Sequence, residues 1–85
     1  MAAAEIDSVE KIAALVPHLL GIPQKKIWVD YDQLADVLYV NFKKPSHADD
    51  SDITDDDVIV RYEKGKIVGM TFLNASKRQK ARQQL

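Results

Sequence analysis

Apolar positions follow a helical period over residues 8–20 and a period of two from residue 27 onward, and this switch organises the chain. Ile6, Val9, Ile12, Ala13, Val16, Leu19 and Leu20 fall within one stripe of a helix, with Ser8, Lys11, Ala14 and His18 on the opposite side. Asp7 is placed to cap the start, and Glu10 three residues on completes a box-like pattern near the positive end of the helix dipole. Pro17 lacks the amide that would bond the Ala13 carbonyl, so a kink or break is expected there. Gly21 and Pro23 then end the element.

Four β-rich runs follow: Ile27 to Tyr31, Val37 to Phe42, Val58 to Tyr62 and Ile67 to Leu73. Asp32-Gln33-Leu34-Ala35-Asp36 reads as a turn between the first two, because Asp32 can accept from its own following backbone. Glu63-Lys64-Gly65-Lys66 joins the last two, and Gly65 supplies the positive φ of a short hairpin. Asn74 and Ser76 are both capping residues, and Lys77 to Leu85 reads as a short polar helix or tail. The expected fold is α+β: an N-terminal amphipathic helix packed on a four-stranded antiparallel sheet of two hairpins, with a short polar C-terminal helix.

Alternation assigns Leu38, Val40, Phe42, Val58, Val60 and Tyr62 to one side of this sheet. It assigns Val37, Tyr39, Ile59, Val68, Met70 and Phe72 to the other. Both sides are then largely apolar, whereas a sheet face in water normally turns polar. The helix can cover one side. The C-terminal segment offers only Ala75, Ala81 and Leu85, so the second face is expected to be the interface of a homodimer.

Composition narrows the class. The chain has 85 residues, 46% hydrophobic and 29% charged, which is a globular composition for one small domain. Its parts are a helical extension over residues 1–25, a β core over 26–78 and a polar tail over 79–85. Twelve Lys and Arg against 13 Asp and Glu argue against a general nucleic-acid or membrane binder. With no Cys there is no disulfide framework and no thiol nucleophile. The apolar stretch Ile12 to Leu20 is short, interrupted by Pro17 and preceded by acidic residues, unlike a secretion signal, so a cytoplasmic setting is expected.

Candidate chemistry is sparse. Asp49, Asp50, Asp52, Asp55, Asp56 and Asp57 place six carboxylates in nine residues, in a segment expected to be an irregular loop. Calcium-loop spacing fails, because counting from Asp50 puts Asp55 where Gly belongs and Arg61 where the bidentate Glu belongs. Lys77, Arg78, Lys80 and Arg82 form a basic tail with no aromatic residue interleaved for base stacking. Ser46, His47 and Asp49 are neighbours in one loop, which does not make a triad. Asp30, Asp32 and Asp36 flank the first turn and are the carboxylates best placed for acid–base work; turn chemistry is the simpler reading. The glycines Gly21, Gly65 and Gly69 are scattered, and no phosphate loop, cofactor or metal site is expected. Trp28 and the three tyrosines read as core or interface anchors.

One resemblance emerges from four blocks. Tyr31-Asp32-x-x-Ala35-Asp36-Val37-Leu38-Tyr39-Val40, Val58-Ile59-Val60-x-Tyr62, Gly65-x-Ile67-Val68-Gly69 and Leu73-Asn74-Ala75-Ser76-Lys77 resemble the small prokaryotic family called domain of unknown function 2283. The likeness covers about residues 28–78, and the first 25 residues look like an addition to the usual core. The family has no assigned activity, so the resemblance implies no catalytic residue. Some members resemble the antitoxin halves of two-gene modules, which implies a protein-binding role. The function expected is therefore non-enzymatic, by self-association and protein binding. The alternatives are an antitoxin-like partner of a small toxin, and a small enzyme using Asp30, Asp32 and Asp36.

Overall fold

The computed structural model describes the backbone of residues 3–82 and the side chains of residues 6–78. Helix α1 (Ala3–Leu20) leads into strands β1 (Trp28–Asp32), β2 (Val37–Asn41), β3 (Asp50–Ile53), β4 (Val58–Glu63) and β5 (Lys66–Leu73), and helix α2 (Ala75–Arg82) follows. The strands form one antiparallel sheet in the order β1-β2-β5-β4-β3. The α+β class is as expected, and the four β-rich runs became β1, β2, β4 and β5 with one-residue differences at their ends.

The sheet has five strands, not four. The additional strand, β3, comes from the acidic run and pairs Asp50–Ile53 with Tyr62–Ile59 of β4. Thr54 makes this possible. Its amide donates to the Val58 carbonyl at 2.8 Å, and its hydroxyl accepts from the amides of Asp56 (3.3 Å) and Val58 (3.2 Å). The β4–β5 connection is the two-residue turn Lys64-Gly65, with φ of 53° and 80°. Two successive positive φ values give a turn whose twist matches the flanking strands.

Cross-strand partners share a face, and the register corrects the expected division of the sheet. Leu38 and Val58 both lie opposite Phe72, and Val40 and Val60 both lie opposite Met70. Met70 and Phe72 therefore stand with Leu38, Val40, Val58 and Val60 on one apolar face. The other face carries Val37, Tyr39 and Ile59 beside Thr71, Asn41, Gly69 and Arg61. The cause is a slip of one residue at Arg61/Tyr62: Arg61 faces Gly69 but Tyr62 faces Ile67, leaving Val68 as the additional residue of β5.

Helix α1 forms as its stripe dictates, but it starts at Ala3, four residues before Asp7. Asp7 is therefore not the cap; its carboxylate instead meets Lys11 Nζ at 3.2 Å, one turn on. The helix continues through Pro17 to Leu20, where the Gly21 amide reaches the carbonyls of Pro17 and His18.

The expected packing of α1 on the sheet is absent. Every substantial contact between elements is strand on strand, and Val9, Ile12 and Leu20 are 60%, 60% and 80% exposed. Buried hydrophobic residues among those described are Val37, Val58 and Val68. The radius of gyration is 14.5 Å, whereas a compact chain of this length has about 12 Å. A sheet buries its apolar face only against a second layer, and among the described residues that face is half-buried at Leu38, Val40, Val60, Met70 and Phe72, with Val58 buried.

Candidate functional site

Polar chemistry gathers in three places, and each has a structural job. The first joins the β1–β2 turn to α2. Asp36, held at φ 57°, accepts the Tyr31 hydroxyl at 2.7 Å, the Ser76 amide at 2.9 Å and the Ser76 hydroxyl at 2.9 Å, while its carbonyl accepts the Ala75 amide at 2.9 Å. A residue 40 positions before Ser76 thus satisfies two amides at the start of α2, Ser76 through its carboxylate and Ala75 through its carbonyl. The Tyr31 hydroxyl bond, seconded by the Ser76 amide, holds Asp36 below the usual carboxylate range, and the same bond raises the Tyr31 phenol. Within α2, Arg78 donates to the Leu73 carbonyl at 3.1 Å and lies 5.6 Å from the centre of the Phe72 ring.

The three carboxylates considered for acid–base work do not converge. Asp30 lies 3.6 Å from Lys44 Nζ, Asp32 accepts the Ala35 amide at 3.2 Å, and Asp36 caps α2. The second polar cluster centres on Glu63, which accepts the Lys43 ammonium and the His47 amide; these two donors, the ammonium first, lower its pKa. Asp49 accepts the Lys64 amide at 3.1 Å. No hydrogen bond links Ser46, His47 and Asp49 among the described residues, so the neighbouring trio is not brought together as a triad.

The third place is a row across the whole sheet. Trp28, Asn41, Gly69, Arg61 and Ser51 stand in register on the five strands. Arg61 Nη2 donates to Asn41 Oδ1 at 2.8 Å by crossing over Gly69. A Cβ on Gly69 would sit 2.4 Å from Arg61 Nη2, so the missing side chain is the slot through which the guanidinium passes. Lys44 Nζ lies 5.9 Å from the Trp28 ring centre at the end of the row.

Of the acidic run, Asp50 and Asp52 are exposed on edge strand β3, and Asp55 to Asp57 form the turn into β4. No group of three or more His, Asp or Glu among the described residues could hold a metal ion. Lys77 and Arg78 fall on α2, whereas the side chains of Lys80, Ala81, Arg82 and Leu85 lie outside the described residues. No described helix is long and apolar enough to cross a membrane.

What remains unassigned is apolar. The stripe of α1 makes no substantial contact with another element among the described residues, and Leu19, Leu20, Ile22 and Ile27 at its end line, with Gln24 and Lys25, an open pocket of about 260 Å³. The sheet face carrying Val40, Val60 and Met70 is half-buried, and α2 meets it at Phe72 through Arg78. The periodicity of the sequence identified the stripe and most of the strands. What it missed was Met70 and Phe72 on this face, because a bulge leaves no mark on alternation.

The model of a family described as "Protein of unknown function (DUF2283)" matches residues 28–76. The chain belongs to that family. The DUF2283 segment opens on the first residue of β1 and closes on Ser76, so it contains the complete sheet and both ends of the Asp36–Ser76 junction. Helix α1 lies outside it. No curated protein matches the chain, and no solved structure does.

Proposed function

We propose that this DUF2283 protein is a non-enzymatic cytoplasmic module that acts by association, first with a second copy of itself and, in that state, with another protein. One observation carries the reading: the apolar stripe of α1 is exposed and the apolar sheet face is only half-buried at Val40, Val60 and Met70, with no substantial contact between the two among the described residues. The exposed area is 6876 Å², against about 5,100 Å² for a folded monomer of this mass. Scattered surface hydrophobics are ordinary, but a continuous exposed stripe such as that of α1 marks an interface.

The sheet faces, rather than its edges, support this role. Both edge strands carry two aspartates, Asp30 and Asp32 on β1 and Asp50 and Asp52 on β3. Like charges along an edge oppose the addition of another strand. On the apolar face bearing Met70 and Phe72, aspartates stand only at the β3 margin, where Asp52 lies opposite Val60, and the three central strands present Leu38, Val40, Val58, Val60, Met70 and Phe72.

Native mass spectrometry of the full chain at micromolar concentration tests the reading. A species of twice the 9.6 kDa chain mass is expected. A folded monomer across the whole concentration range would overturn it.

A further inference from the structure

We propose that α1 of each protomer lies across the apolar sheet face of a second copy, so that a reciprocal helix exchange supplies the layer each sheet lacks. The inference rests on the self-association proposed above and names its surfaces.

Four observations converge on it. First, α1 stands away from its own sheet, and the chain leaving it is tied back to the helix end by the Gly21 and Ile22 amides, which bond Pro17, His18 and Leu19 carbonyls. Second, the dimensions match. Eighteen residues of helix span about 27 Å, and the eight residues of β5 span about 26 Å. Third, the stripe is broad. Ile6, Val9, Ala13, Val16 and Leu20 form an a/d seam, and Ile12 and Leu19 add a third apolar row. A seam of two rows suffices for a helix pair, whereas three rows suit a helix laid on a wider apolar surface. Fourth, the area is right. Covering the surplus of each protomer buries about 3,500 Å² in a pair, within the range of obligate homodimers. A two-fold exchange also closes, leaving no unpaired copy of either surface.

The receiving face is the one with Val40, Val60 and Met70. Its charged residues, Asp50 and Asp52, stand at the β3 edge, whereas the opposite face carries the Arg61–Asn41 bond and Thr71 on the central strands, whose polar atoms an apolar helix would strip of water.

Isotope-filtered nuclear Overhauser spectra of the full chain, prepared as a refolded mixture of labelled and unlabelled copies, test the exchange. Intermolecular contacts from the Val9, Ile12 and Val16 methyls to Val40, Val60 and Met70 are expected. A dimer in which those contacts are only intramolecular, or in which α1 meets only the other α1, would overturn the exchange while leaving self-association standing. A folded monomer would overturn both. Val16→Glu should weaken the dimer by about thirtyfold or more, as for a central interface residue; an unchanged dimer constant would count against the exchange. The wild-type spectra decide the question even where that variant fails to fold.

Discussion

Asp36 shows how much one residue can do outside its own turn. Its carboxylate joins a strand tyrosine to a helix start, and the pairing depresses its pKa. A carboxylate with a lowered folded pKa contributes stability in full above the usual aspartate value of about 3.9, and that contribution is lost as pH falls through the lowered folded value. Carbon-detected titration should therefore give Asp36 a midpoint below the usual range. Tyr31→Phe removes the largest cause and should move the midpoint upward, with weaker order in α2. A midpoint that does not move would show that the hydroxyl is not what holds the carboxylate. The sequence read Asp36 as part of a turn and as a candidate acid–base carboxylate, and Asn74 and Ser76 as caps. The turn was legible because Asx chemistry is local. The bond to Ser76 was not, because nothing in a local pattern points 40 residues along the chain.

At the scale of elements, legibility followed apolar alternation. β1, β2, β4 and β5 have it, and the Lys64-Gly65 turn carries the glycine its positive φ favours. β3 has the sequence Asp-Ser-Asp-Ile, with almost no β-propensity, and exists because β4 offers a ladder and Thr54 closes the turn. Thr54→Val should therefore loosen β3 in particular. Losing the hydroxyl that accepts two amides costs about 1–2 kcal/mol. Hydrogen exchange at the Asp49 amide, which bonds Tyr62, and at the Thr54 amide should quicken about tenfold. The Phe42 amide, bonded to Val68 across the sheet centre, should exchange as before. Equal quickening at all three would mean that β3 and the central strands open as one unit. The face assignment of β5 failed for a similar reason: the bulge at Arg61/Tyr62 and the close approach of Arg61 to Gly69 are products of pairing, not of composition.

For the whole molecule, the helix and the sheet were both legible, and their relation was not. An amphipathic helix beside a two-faced apolar sheet reads naturally as two layers of one domain. The observed chain instead keeps them apart, with three valines as its buried hydrophobic residues among those described. Such a chain has too little buried area to offset the conformational entropy of ordering it. Association and folding should then be one equilibrium, in which two unfolded chains yield one folded pair, and stability depends on total concentration. With an unfolding enthalpy of roughly 110 kcal/mol for a pair of this size, a tenfold rise in concentration should raise Tm by about 4–5 °C. Differential scanning calorimetry over a hundredfold range of concentration measures this directly. A constant Tm with reversible unfolding would mean that a single chain supplies its own second layer, and α1 folding back over the Met70 face would be the only described element large enough to provide it.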